Sequence, residues 1–128
     1  MLPALQDPHR ATCHCGAVEL AVTLGDEGFA SARRCDCSFC RRRQAANVSA
    51  VAATVKVLRG ADNLALYTWG THTARHWFCK TCGIYTHHQR RSDPSVCGVN
   101  IGCFEGVHPK DFEPVPWAKG IKHPSDDG

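Results

Sequence analysis

Ala74-Arg-His-Trp-Phe-Cys79-Lys-Thr-Cys82-Gly83-Ile-Tyr-Thr-His-His88 decides the fold. Residues 74–78 lead into a Cys-x-x-Cys-Gly turn and residues 84–88 lead out of it, which predicts a hairpin-like ribbon. The Cys-x-x-Cys spacing lets two thiolates meet one ion as the backbone turns back on itself, and Gly83 supplies the positive φ that the turn needs. Upstream, Val18, Leu20, Val22 and Leu24 alternate with Glu19, Ala21 and Thr23, the period of a strand with one buried face. Gly25–Gly28 reads as a turn, and strands are expected over 45–52, 55–58 and 64–69, punctuated by 60–63. Residues 70–73 and 90–95 read as loops, 96–104 as the last strand. The four prolines after Gly106 (Pro109, Pro114, Pro116, Pro124) predict an extended tail.

No stretch holds a helical apolar period over three turns, and neither a repeat nor a domain boundary is visible. The class is all-β in a single domain: an arm over 1–10, a domain over 11–118 and a tail over 119–128. At 128 residues folding buries about two-thirds of the unfolded chain's surface, enough for a core. No segment approaches the ~20 apolar residues of a membrane helix. The N-terminal residues lack the apolar run of a secretory signal, and the nine cysteines are odd in number, so they cannot all pair as disulfides. A reducing, cytoplasmic setting with metal-binding thiols is expected.

Seven cysteines fall into three groups: Cys13-His-Cys15-Gly, Cys35-Asp-Cys37-Ser-Phe-Cys40 and Cys79-Lys-Thr-Cys82-Gly. A structural zinc site wants four ligands in a tetrahedron. The simplest partition joins Cys13 and Cys15 to Cys79 and Cys82 in one closed site. Cys35, Cys37 and Cys40 then hold a second zinc with one position open, the mark of a catalytic metal. The rival pairing sets the triplet against Cys79 or Cys82 and leaves the N-terminal pair idle. Cys97 and Cys103 sit alone on an apolar stretch and read as core.

Residues 33–43 carry five arginines against one acid, a window of +4. The remainder, ten bases and eleven acids, sums to −1. The chain's positive charge therefore surrounds the triplet, where it favours thiolates and attracts an anion. Arg41, Arg42 and Arg43 are the candidate carboxylate grip. With only Phe39 inside the patch and a pI near 8.4, nucleic acid is the less supported anion.

The order Cys-x-Cys-Gly, Cys-x-Cys-x-x-Cys-Arg, Arg75-His-Trp-Phe-Cys79-Lys-Thr-Cys82-Gly83-Ile-Tyr and Gly98-Val-Asn-Ile-Gly102 resembles the glutathione-dependent formaldehyde-activating enzyme family, which includes the centromere protein V relatives. The resemblance spans about residues 8–118. It implies a β-tent fold of zinc-stapled sheets. It also implies the same partition: Cys13, Cys15, Cys79 and Cys82 structural, and Cys35, Cys37 and Cys40 at the active-site zinc. The implied activity is the joining of glutathione and formaldehyde into S-hydroxymethylglutathione, a carbon–sulfur lyase reaction in reverse. Glutathione or a similar small thiol, and an aldehyde, are the expected partners. His76, His87 and His88 are candidate bases. In a regular strand His87 and His88 take opposite faces, so at most one of them reaches the site, and solvent exposure is the ordinary state of each. Two alternatives remain at this level: a non-catalytic zinc module gripping a polyanion or protein through the arginines, and a scaffolding ribbon with both sites closed.

Overall fold

Val18, Leu20, Val22 and Leu24 all point into the core, none more than 9% exposed. Their period of two builds β2 (Glu19–Val22), which pairs antiparallel with β1 (His9–Thr12) and with β5 (Lys56–Arg59). The structure, a computed structural model, describes residues 8–90 and 93–118. Residues 1–7 of the expected arm, positions 91 and 92 of the polar loop, and the expected tail 119–128 lie outside them.

The end of the arm is corrected. His9 and Arg10 belong to β1, paired with Val22 and Ala21. The His9 ring packs edge-on against Phe29 and Phe104, and Arg10 Nη1 donates to Glu19 Oε2 at 2.7 Å. Glu19 stands on the face of β2 that alternation assigns to solvent, yet it is buried. Its carboxylate lies between Arg10 and Arg59, the latter at 3.1 Å. The hydrogen bond from Arg10 foremost holds it below the usual carboxylate range.

The second sheet has five antiparallel strands: β4 (Asn47–Val51), β9 (Val96–Asn100), β8 (Tyr85–Gln89), β7 (Arg75–Cys79) and β6 (Leu64–Tyr67), in that order. Bridges Ala11↔Phe104 and Leu24↔Ala50 tie it to the first sheet. Val48, Val99, Ile101 and Phe104 then close the core over β2. Cys97 and Cys103 are buried there, as their apolar neighbours predict.

The last long strand stops at Asn100, earlier than expected, because the Asn100 side chain accepts from the Gly102 amide at 3.1 Å and starts a 3-10 turn over Ile101–Cys103. A two-residue pair has no counterpart in the sequence pattern: β3 (Arg34–Cys35) runs parallel to β10 (Trp117–Ala118). Arg34 locks that pair through a two-pronged ion pair to Glu113 at 2.9 and 3.0 Å. Among the described residues the single α-helical turn, α1 (Cys40–Arg43), follows β3. Among the described residues no helix is long and apolar enough to cross a membrane.

Candidate metal centres

The β7–β8 turn is tight. The Gly83 amide donates to Cys79 O at 2.9 Å with φ at +76°, and the Cys79 amide donates to Ile84 O at 3.0 Å. This brings Cys79 and Cys82 against the loop after β1, where the Cys13 amide donates to Val18 O. Arg59 steadies that loop with two bonds to Gly16 O, at 3.0 and 2.8 Å. The sulfurs of Cys13, Cys15, Cys79 and Cys82 all lie within 4.8 Å of one another. The Cys13–Cys15 and Cys15–Cys79 separations are 3.7 Å each. Tetrahedral zinc with bonds of about 2.3 Å demands sulfur–sulfur edges of about 3.8 Å, so the donor set fits that metal.

Charge agrees with geometry. Burial would raise the Cys82 thiol, but amide donors at Cys15 and Ile84 outweigh it and hold it down at about 6. The amides of Cys82 and Thr81 also lower Cys79. Cys15 favours its thiolate through the Ala17 amide, yet burial and hydrogen bonds to the other sulfurs push it up to about 11. Four adjacent thiolates repel one another, and a divalent cation lets all of them ionise together. Neutral donors reach the group, among them Asn63 Nδ2 at 3.3 Å from Cys79 Sγ and the Val18 amide at 3.3 Å from Cys13 Sγ.

Cys35 at the end of β3, Cys37 in the following turn and Cys40 at the start of α1 form the second group, again with all sulfurs within 4.8 Å. Hydrogen bonds from the Cys35 and Cys40 thiols strongly lower Cys37, the bond with Cys37 raises Cys35, and bonds with Cys35 and then Cys37 raise Cys40. The segment lies over the five-stranded sheet. Phe39 packs 5.1 Å from Tyr67, 6.4 Å from Trp69 and 4.7 Å from His76, ring centre to ring centre. Beneath it runs a transverse row of cross-strand partners: Ser49, Gly98, His88, His76 and Tyr67.

The family model for glutathione-dependent formaldehyde-activating enzyme matches residues 8–117. This chain belongs to that family. A crystal structure of a Rhodobacter sphaeroides protein is similar to it, with 61% identity over 85% of this chain and 99% of the other, and a TM-score of 0.83. Both cysteine groups lie inside the stretch matched to the formaldehyde-activating family.

Within this family member the expected arginine trio divides. Arg41 and Arg42 are exposed, whereas Arg43 turns inward over the Tyr85 ring, 3.6 Å from its centre. The histidines depart from expectation too. His76 and His87 are buried and His88 is partly so. His88 faces the triplet side, stacked 5.1 Å from His76, while His87 stacks on Trp77. The strand register slips between Trp77↔His87 and Phe78↔Tyr85, leaving Thr86 unpaired. That bulge re-phases β8, so Tyr85 and His88 meet at 2.5 Å although three positions apart.

Arg43 Nη1 lies 3.2 Å from His76 Nδ1. Arginine only donates, so Nδ1 accepts and the ring proton sits on Nε2. The Nδ1 lone pair of His76 is therefore taken up by Arg43. Asn47 carried no local signal, and Tyr85 and Gly98 stood in quoted motifs without a role: cross-strand register gives each its place.

Burial lowers His87 to about 4, from an ordinary value of 6.5. The unfolded chain binds this proton below pH 6.5 and the folded chain only near 4. Stability from keeping the ring neutral is thus complete above 6.5 and is lost as pH falls from there towards 4. His87→Gln is expected to flatten the stability–pH slope in that window relative to wild type, measured by denaturant unfolding at a series of pH values. An unchanged slope would contradict the assignment.

Proposed function

We propose that the protein joins glutathione and formaldehyde into S-hydroxymethylglutathione at the Cys35, Cys37 and Cys40 group. The reaction is that of a carbon–sulfur lyase in reverse. Cys13, Cys15, Cys79 and Cys82 hold a structural zinc in this reading. It rests on one observation: the triplet offers three thiolate donors and, among the described residues, no fourth Cys, His, Asp or Glu belongs to its group. Zinc at the triplet would supply a Lewis acid that favours the ionised form of an incoming thiol and polarises an aldehyde oxygen.

The chain's own residues do the rest. Exposed Arg41 and Arg42 grip the carboxylates of the tripeptide through forked bonds. Phe39, Tyr67 and Trp69 wall one side and keep water from it. The carbon–sulfur bond forms as the π bond of the aldehyde opens, and the proton the thiol gives up ends on the aldehyde oxygen. The glutathione link, the lyase class and the β-tent architecture all come with this reading.

Metal content decides it. Two zinc ions per chain are expected. When cobalt replaces them, glutathione is expected to change the spectrum of one ion and leave the other alone. A single ion, or two ions indifferent to glutathione, would overturn the reading in favour of a closed scaffold.

A further inference from the structure

Arg43 stands apart from its two neighbours in α1. Its guanidinium lies 3.6 Å over the Tyr85 ring and 4.6 Å from the Phe39 ring centre. Nη2 donates to Cys40 Sγ at 3.6 Å and Nη1 to His76 Nδ1. The platform beneath is fixed. The Tyr85 hydroxyl donates to Asn47 Oδ1 at 2.6 Å and sits 2.5 Å from His88 Nδ1. His88 in turn lies flat over Gly98, where a Cβ would fall 2.3 Å from its Cε1. A chain of contacts therefore runs from the centre of the sheet to one sulfur of the triplet and ends in a permanent positive charge. At the four-cysteine group the donors to sulfur include Asn63 Nδ2 and the Val18 and Thr81 amides, all neutral.

We infer that Arg43 is a positioning residue that offsets the charge of the triplet, not a grip for substrate carboxylates. The inference rests on the triplet being the thiol-binding metal site proposed above. Three thiolates around a divalent ion leave one net negative charge. A fourth thiolate, brought by the substrate, would make it two, and that second charge is costly in a partly buried site. A guanidinium donating to Cys40 lowers this cost for any thiolate, whatever else the thiol carries. It also draws electron density from Cys40 Sγ and so blunts that sulfur as a nucleophile.

The test compares two thiols on the zinc- or cobalt-loaded full chain. Glutathione carries carboxylates and 2-mercaptoethanol carries none. Arg43→Gln is expected to weaken both by about tenfold, the lower end of what partners of metal ligands contribute. It is also expected to raise the rate at which iodoacetamide alkylates Cys40, mapped by peptide mass spectrometry, with Cys13, Cys15, Cys79 and Cys82 unchanged. That protected quartet serves as the internal control for folding. Loss confined to glutathione would overturn the inference and make Arg43 a carboxylate grip. Unchanged affinity for both thiols together with unchanged alkylation would overturn it as well.

Arg43→Lys keeps the charge without the fork and is expected to bring both affinities back to within about threefold of wild type. A lysine variant as weak as the glutamine one, or one that separates the two thiols, would also count against charge compensation. This milder change carries the test should the glutamine variant not fold. If wild type binds neither thiol, the proposed function fails, and Cys40 alkylation still reads the Arg43–Cys40 contact by itself.

Discussion

Serine at position 79 is expected to leave the chain unfolded at temperatures where the wild type is native. Cys79 is fully buried at the end of β7, opposite Leu64 of β6. Its sulfur accepts from Asn63 Nδ2 and from the Thr81 amide. Cys15 and Cys79 are 64 positions apart, so a metal held by the quartet closes a long loop and fixes the first sheet against the second. Structural zinc contributes about 10–16 kcal/mol of apparent binding free energy, comparable to or above the ~5–15 kcal/mol by which domains are stable at all. Serine is a poor zinc ligand, and three remaining thiolates do not complete a tetrahedron. Circular dichroism on heating is expected to show either no cooperative transition for Cys79→Ser or a midpoint lower by about 20 °C or more. Stripping the wild type with a strong chelator should reproduce the effect. A Cys79→Ser variant that melts cooperatively within a few degrees of wild type would remove the quartet from its structural role.

What the sequence showed and what it hid divide along the range of the interactions. The hairpin around Cys79 and Cys82 was legible because everything it needs lies within a few residues: the thiol spacing, Gly83 at positive φ, and strand-like runs on both sides. The buried face of β2 was legible because alternation is a local property. β3 and β10 were not, since two-residue strands have no periodicity and their pairing depends on Arg34 meeting Glu113, 79 positions away. The histidines were hidden for another reason. Their burial follows from cross-strand register, His76 against His88 and His88 against Gly98, and from the unpaired Thr86 that shifts Tyr85 onto the same side. The arginines were legible as a charge and not as individuals. One turn of helix turns Arg43 onto Tyr85 and leaves Arg41 and Arg42 outside. Nothing in a run of three identical residues announces which one faces in.

Cys37→Ser is expected to do the opposite of Cys79→Ser: leave the fold and remove the function. Cys37 is buried too, 3% exposed, and its sulfur accepts from the Cys40 amide at 3.3 Å. The ligands of the triplet, however, all come from positions 35–40. A metal there closes a loop of only a few residues, so it removes little chain entropy from the unfolded state. The segment is also held without it. The Arg34 and Asp36 amides donate to Pro116 O and Ala118 O at 3.0 and 3.1 Å, and Arg34 is paired to Glu113. The midpoint of thermal unfolding is therefore expected to move by no more than about 5 °C. Zinc should fall from two ions to one per chain, and the cobalt spectrum should lose its response to glutathione. If Cys37→Ser unfolded the protein as Cys79→Ser does, both metals would be structural staples. If it kept two ions and the glutathione response, the open site would lie elsewhere. The two substitutions remove the same atom from similarly buried positions, so the separation of the ligands along the chain, together with the bonds that hold the triplet segment without a metal, distinguishes their expected outcomes.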